Sequence, residues 1–543
     1  MIPENTKTKD QNSNIEKIIW ILLALVVVFI YFFGLNIPLL GPDEPRYSQV
    51  AREMFERGDW VTPTLGGFDW FEKPALLYWL QIVSYNIFGI TEFAARFGSA
   101  IFGLGTIFSL WILGKAIQDS RFKVQSFSEI QNPKPKTQNP APDFANWLAL
   151  IAASSIGLLA FSRGASFDII LTFPLTASLV SFFIFDSAQR NQGAKEHNVK
   201  SKNFSFTTYH LPLTAFYFFI GVALIAKGLI GIVFPFAIVA FYYVLSWRLP
   251  GKTFVFSVFW GTILSLIVAS AWYLPMYRAN GWKFVDEFFI QHHFQRYTSN
   301  KYQHPQPFWF FFLVLPLMTI PWLPFFFAAI WDFVKAQSSK FKAQSRGKFS
   351  FPFFSASPLL LFSLAWLLVP LVFFSLSGSK LPGYILPALP AALIFTAEYV
   401  HRFIKKSRKR QFFIKLIALT TFAVIAILLQ FVVIRYASGE TVKNLIEKAN
   451  SGGFSNERIV NLYTVSHNLE FYAAGRLVRD AEGKLKRYED FSVLVKDLKN
   501  EPNNRVLVLV PQKDVANLFG DQSVKAEILG ENGESALVLL QLK

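Results

Sequence analysis

The 543-residue chain contains no cysteine, which excludes a disulfide framework, a thiolate nucleophile and a zinc–thiolate centre, and leaves the redox compartment unread. Charge is scarce as well. Asp, Glu, Lys and Arg make up 16% of the residues against 52% hydrophobic ones, too few to cover a water-facing fold of this size. No nucleic-acid motif accompanies the formal net charge of +17, because Lys and Arg fall in short stretches between apolar runs, so nucleic acid is not an expected partner. No usable internal repeat is present. What the chain has in quantity is apolar bulk, including 61 Phe, and most of it belongs among membrane lipids.

A hydrocarbon core of about 30 Å takes about 20 apolar residues of helix, and that ruler gives roughly eleven spans. They lie near 18–36, 93–117, 145–162, 168–188, 209–226, 229–247, 253–275, 308–331, 357–375, 383–400 and 412–434. The first follows a polar lead with Lys7, Lys9 and Lys17; it is too long for a signal-peptide core and lacks a small-residue cleavage site, so it reads as an uncleaved span. Alternate loops separate by charge. With residues 1–17 cytoplasmic, the inner loops hold Arg121, Lys123, Lys134 and Lys136; Arg190, Lys195, Lys200 and Lys202; Arg248 and Lys252; Lys335 to Lys348; and Arg402 to Arg410. The opposite face receives the 37–92 stretch, the Arg163–Asp168 turn, the 276–307 loop, the Ser375–Pro382 turn and the tail. Asp43, Glu44, Glu72, Lys73, Asp168, His293, Arg296 and Lys380 all fall there, so residues distant in sequence are expected to share one aqueous surface.

The expected domains are thus a cytoplasmic segment 1–17, a membrane domain 18–435 with a catalytic outer loop 37–92, and a soluble α/β domain 436–543 on the outer face. In the tail, strand-like runs at Arg458–Val465, Arg505–Val510, Val524–Leu529 and Ala536–Leu542 alternate with helical patterns at 468–475, 488–499 and 512–519. The segment 126–143, rich in Asn, Gln, Pro and Ser, reads as a flexible inner loop.

After the first span comes Gly41-Pro42-Asp43-Glu44-Pro45-Arg46-Tyr47. Pro45 suits the first helical position with Glu44 as its cap, and Gly58 suits the stop. Tyr47, Val50, Ala51, Met54 and Phe55 share one face, and Arg46, Gln49, Glu53 and Glu56 the other, as in a helix lying in the membrane interface. The segment Phe71-Glu72-Lys73-Pro74 returns another carboxylate and an ammonium to that plane.

These two segments, with Ser379-Lys380-Leu381-Pro382-Gly383-Tyr384, resemble the bacterial lipid A aminoarabinose transferases and related protein O-mannosyltransferase-like enzymes of the GT-C glycosyltransferase fold. The resemblance covers residues 18 to about 400. It implies an undecaprenyl- or other polyprenyl-phosphate sugar donor, a lipid, glycan or protein acceptor, and transfer on the extracytoplasmic face of a bacterial inner membrane. It implies that Asp43 is the key catalytic carboxylate in the Asp43-Glu44 pair and Asp168 a second essential acid. It also implies that Lys73, Arg296 and Tyr384 lie near the carrier phosphate, and that Glu72 with His293 marks the position a divalent metal would take.

The chemistry fits independently. Cleaving a sugar–phosphate bond passes through an oxocarbenium-like state while negative charge grows on the leaving phosphate. Cations at the membrane surface stabilise that charge, so Arg46, Lys73, Arg296, Lys227 and Lys380 are candidate phosphate partners. An acceptor hydroxyl needs a base, for which Asp43 is placed; an already ionised acceptor needs none. Each residue also has a plainer reading. Asp43 or Glu44 can cap a helix, Glu72–Lys73 can be a surface ion pair, Arg296 can snorkel to headgroups, and one His plus one Glu is an incomplete zinc shell. A transporter or flippase would instead place ionisable groups near the bilayer midplane on broken, repeated helices, and a silent scaffold would have no use for the whole acid–cation set.

Overall fold

The computed structural model describes residues 4–131, 143–196, 206–295, 305–344, 356–501 and 504–543, without the side chains at 4–13, 120–131, 191–196, 206–209, 292–295, 339–344, 440 and 500. Arg296, the His293 side chain and most of the 126–143 loop lie outside the described residues.

Among the described residues eight helices are long and apolar enough to cross a membrane: Asn14–Phe32, Glu92–Asp119, Phe167–Arg190, His210–Lys227, Lys252–Gln291, Pro358–Ser375, Pro382–Ile404 and Arg408–Gly439. Each overlaps an expected span. The other three expected spans take different forms. The 308–331 run is a pair of helices, Phe310–Met318 and Leu323–Ser338, bent by 115°. The 145–162 run is two short helices, Phe144–Ala153 and Ile156–Phe161, and the 229–247 run is a helix of 16 residues, Ile230–Leu245. Hydropathy sums over a window and is blind to where the backbone turns inside it. Here the two breaks supply each other's partners: the Ile156 N–H donates to the Ile320 carbonyl at 2.7 Å, and Trp322 Nε1 donates to Ser154 Oγ at 3.1 Å. Irregular backbone in an apolar setting is tolerated on that condition.

The chain divides into two compact units, one of Met1–Phe33, Ser99–Arg163 and Phe167–Val424, the other of Gly34–Gly98, Gly164–Ser166 and Ile425–Lys543. The first is helical. Phe182, fully buried, packs edge-on or tilted against Phe216, Tyr242, Phe254 and Phe362, drawing several helices onto one aromatic core. The 3-10 turn Pro382–Ala388 is held by Trp366 Nε1, which donates to the Pro387 carbonyl at 2.8 Å.

The second unit groups the first outer loop with the tail. A two-residue turn at Gly66 and Gly67, both at positive φ, connects strands β1 (Thr64–Leu65) and β2 (Phe68–Asp69). Five further strands, β3 (Ile459–Leu462), β4 (Arg487–Tyr488), β5 (Arg505–Pro511), β6 (Val524–Glu531) and β7 (Ser535–Leu542), form one sheet in the order β4-β3-β5-β7-β6. β3 runs parallel to β4 and β5, and β7 antiparallel to β5 and β6, with Val508 opposite Val538. Both faces of its centre are covered. Val460, Val508 and Val538 bury on one side, and Ile459, Leu507 and Leu537 on the other. Four of these strands overlie the four expected runs, and β4 was missed because it pairs over two residues only.

The helix Asp43–Arg57 ends as expected at Gly58 in a left-handed conformation. Its expected polar face, however, is only partly in water. Gln49 and Glu53 are buried. The Glu53 carboxylate accepts from Gln49 Nε2, Thr64 Oγ1 and the N–H groups of Gly66 and Gly67, at 3.0, 2.7, 2.8 and 3.2 Å. Arg52 NH1 donates to the Phe471 carbonyl at 2.6 Å, bringing the tail helix His467–Ala473 onto that face. A segment more than 400 residues on in the sequence covers it, which the local pattern cannot foretell. Tyr472 completes the join: its hydroxyl accepts from the Leu39 N–H at 3.0 Å and donates to Glu92 at 3.1 Å, where Lys443 Nζ also binds at 2.7 Å.

Candidate active site

The second unit brings together the acids and cations of the first outer loop. Its helix starts at Asp43, two residues earlier than expected; Pro42 stands at the cap with no side-chain bond, so neither acid is the N-cap. Both acids occupy the first turn, where unpaired N–H groups and the helix dipole favour negative charge.

Their settings then diverge. Glu44 is enclosed. Its Oε1 accepts from Arg96 Nε at 3.0 Å and from the Ala165 N–H at 2.8 Å, and its Oε2 from Arg96 NH2 at 2.6 Å and the Leu40 N–H at 2.8 Å. Arg96 in turn donates to the carbonyls of Leu35 and Pro38, each at 3.0 Å, and to that of Ile37. Burial by itself raises the Glu44 pKa; the Arg96 guanidinium and the two backbone N–H groups outweigh it and leave the carboxyl below its usual value. Glu44, its ionised form favoured, fastens the 35–40 segment and the Gly164–Ser166 turn. Arg96 had escaped notice; the signal was an Arg set inside an apolar run, where a charge requires a partner.

Asp43 has a side chain 50% exposed and pairs with Arg46 one turn along. The Arg46 guanidinium also lies 5.5 Å from the Tyr47 ring centroid and 5.7 Å from that of Trp70. Glu72 and Lys73 form a pair at 2.9 Å, mostly shielded from solvent. Burial first, and the Glu72 and Asp43 carboxylates after it, hold the Tyr47 hydroxyl well above the usual phenol range. Burial and Glu72 do the same for Tyr78. Both phenols are therefore neutral donors. Asp43, Arg46, Glu72, Lys73, Tyr47 and Tyr78 make one connected set with two carboxylates, two cations and two neutral hydroxyls. Such a set can hold phosphate oxygens and present a solvent-reaching carboxylate.

The first unit carries a second acid–cation pair. Asp168 sits in the first turn of Phe167–Glu196 and Lys227 in the last turn of Phe206–Lys227, the ends where a helix dipole favours each charge. They form a direct ion pair, and the Lys227 ammonium lies 5.1 Å from the Tyr384 ring centroid. Gly383 abuts the Asp168 carboxylate so closely that any side chain there would collide with it. Lys380, by contrast, is buried and directed at backbone: its Nζ donates to the Ser377 carbonyl at 2.6 Å and the Gln306 carbonyl at 3.0 Å. That makes it a fastener of the turn after Pro358–Ser375. Among the described residues no group of three or more His, Cys, Asp or Glu could hold a metal ion, and Glu72 already has Lys73 against it.

No family model matches the chain. It is 30% identical over 381 residues to the undecaprenyl phosphate-alpha-4-amino-4-deoxy-L-arabinose arabinosyl transferase of Yersinia enterocolitica, covering 70% of this chain and 58% of that protein. To the enzyme of the same name from Aeromonas hydrophila it is 29% identical over 397 residues, covering 72% of this chain and 61% of the relative. The chain thus spans about three fifths of the length of these curated relatives. Among solved structures, ArnT from Cupriavidus metallidurans bound to undecaprenyl phosphate superposes with a TM-score of 0.67 at 19% identity, over 96% of this chain and 97% of that one. Its apo form gives 0.68 at 19% identity, over 97% and 98%.

Proposed function

The chain belongs to the lipid A aminoarabinose transferase family, of the GT-C fold, and on that premise we propose that it transfers a sugar from an undecaprenyl-phosphate carrier to an acceptor at the outer face of a bacterial inner membrane. A pentose of the kind in the relatives' name is the first donor to assay, and a lipid such as lipid A the first acceptor, with glycans and proteins after it.

In the reaction an acceptor oxygen forms a bond to the anomeric carbon on the face opposite the carrier. The bond from that carbon to the phosphate oxygen breaks, and its electron pair leaves on undecaprenyl phosphate, so the configuration inverts. Lys73 and Arg46 receive the growing phosphate charge, with Arg296 in the same role. Asp43 takes the proton when the acceptor is a hydroxyl; with an ionised phosphate acceptor no proton moves and Asp43 orients the sugar. Asp168 serves as the second acid, paired with Lys227 and with the Tyr384 ring beside that ammonium. A divalent ion at Glu72 would have to displace Lys73 from that carboxylate.

The observation that carries this reading is Asp43: a half-exposed carboxylate joined to a cation-bearing set, beside a neighbour whose acceptor sites are all occupied. Asp43→Asn in purified, folded protein is expected to lower transfer at least about 100-fold, read as the mass added to the acceptor. Unchanged turnover would remove Asp43 from the mechanism.

A further inference from the structure

A second charged cluster of the first unit has no part in that chemistry. Asp186 is fully buried on the helix Phe167–Glu196 and accepts from Tyr242 Oη at 2.8 Å. It faces two guanidiniums, Arg190 Nε at 3.1 Å and Arg248 NH2 at 3.2 Å. One carboxylate against two guanidiniums leaves an excess positive charge, and Lys252, exposed at the start of the next helix, adds another. Asp168 and Asp186 lie about 27 Å apart along their common helix at 1.5 Å per residue, close to the thickness of the hydrocarbon core. The cluster therefore stands at the opposite membrane boundary from the Asp168–Lys227 pair, the one the charge pattern assigns to the cytoplasm.

Arg248 also lines a cleft of about 570 Å³, together with Val239, Ala240, Tyr243, Trp247, Leu249 and Phe254 among others. The turn bounding it holds Trp247 at a left-handed φ of 48° and projects outward two large apolar side chains, Trp247 at 71% and Leu249 at 90% exposure. An indole at the headgroup level beside a surplus of Arg and Lys is a setting for an amphiphile with an anionic head. A zwitterionic lipid, whose own ammonium offsets its phosphate, would gain less from the uncompensated charge than an anionic one, and a soluble anion would gain nothing from the apolar walls.

We propose that this cleft is a binding site for an anionic glycerophospholipid of the cytoplasmic leaflet, with one acyl chain along Val239, Ala240 and Phe254 and the phosphate against Arg248 and Lys252. The site is separate from the transfer chemistry and stands whether or not that reading holds. The full-length protein, reconstituted in nanodiscs of mixed phosphatidylglycerol and phosphatidylcholine and released into detergent, can be weighed by native mass spectrometry. Phosphatidylglycerol is expected to be retained over phosphatidylcholine by about fivefold per basic residue engaged. Arg248→Gln is expected to abolish most of that preference. Because Arg248→Gln also strips Asp186 of a partner, Ala240→Trp, at an exposed position that leaves the ion cluster intact, gives an independent arm: the indole fills the cleft and displaces the lipid. Equal retention of the two lipids by the unaltered protein, undiminished phosphatidylglycerol in both variants, or displacement of phosphatidylglycerol by added undecaprenyl phosphate would each overturn the proposal.

Discussion

In the Glu44–Arg96 clamp both carboxylate oxygens and the guanidinium are enclosed and fully engaged, whereas the Asp43–Arg46 pair one residue away leaves its carboxylate half exposed. The same two functional groups thus have two different physical tasks. Enclosure with complete hydrogen bonding fixes backbone; partial exposure leaves acceptor capacity for something that arrives from outside. The Asp43-Glu44 dipeptide, which invites reading as a single catalytic unit, separates into an enclosed fastener and an open, half-exposed carboxylate.

Three measurements bear on that contrast, the strongest first. Arg96→Ala would leave the Glu44 carboxylate buried without its counter-ion and three carbonyls without a donor, and should destabilise the folded protein by about 3–5 kcal/mol in a detergent unfolding assay. A change below about 1 kcal/mol would place the clamp in the same class as an exposed pair. The pH dependence comes next. The Glu44 pKa is depressed in the folded state, so its contribution is fully present above the unfolded-chain value of about 4.3 and is lost as pH falls through the folded value. Melting temperatures of the unaltered protein should therefore drop below about pH 4 more steeply than those of Glu44→Gln, which carries no proton-linked charge there. Parallel curves would mean that Glu44 is not the titrating fastener. Smallest is Arg46→Ala, expected to shift stability by no more than about 1 kcal/mol, since Asp43 remains solvated. A large loss would show that the open pair is also structural.

Much of this molecule was legible without coordinates, for reasons that differ by region. Apolar runs near bilayer length found the long helices, and alternating strands flanked by turn residues found β3, β5, β6 and β7 because those signals are local. What failed was long-range. Gln49 and Glu53 read as a water-facing stripe, and only the tail at Phe471 and the hairpin at Gly66 and Gly67 turn that stripe inward. Lys380 looked like a phosphate ligand, since nothing in Ser-Lys-Leu-Pro says that its ammonium is engaged by the carbonyls of Ser377 and Gln306. Arg96 was overlooked for the converse reason, because a span tolerates one charge only when its partners, here residues 35–44, come from elsewhere in the chain.

The Tyr472 hydroxyl, shared between the Leu39 amide and Glu92, has a practical bearing on how shortened versions of this protein are interpreted. Cutting the chain near residue 436 would remove Tyr472, Lys443 and the Phe471 carbonyl at one stroke, so the strand of backbone leading into Asp43 would lose its braces along with the sheet. Inactivity in such a truncate would speak to the posture of that segment, and could not be assigned to lost recognition of an acceptor.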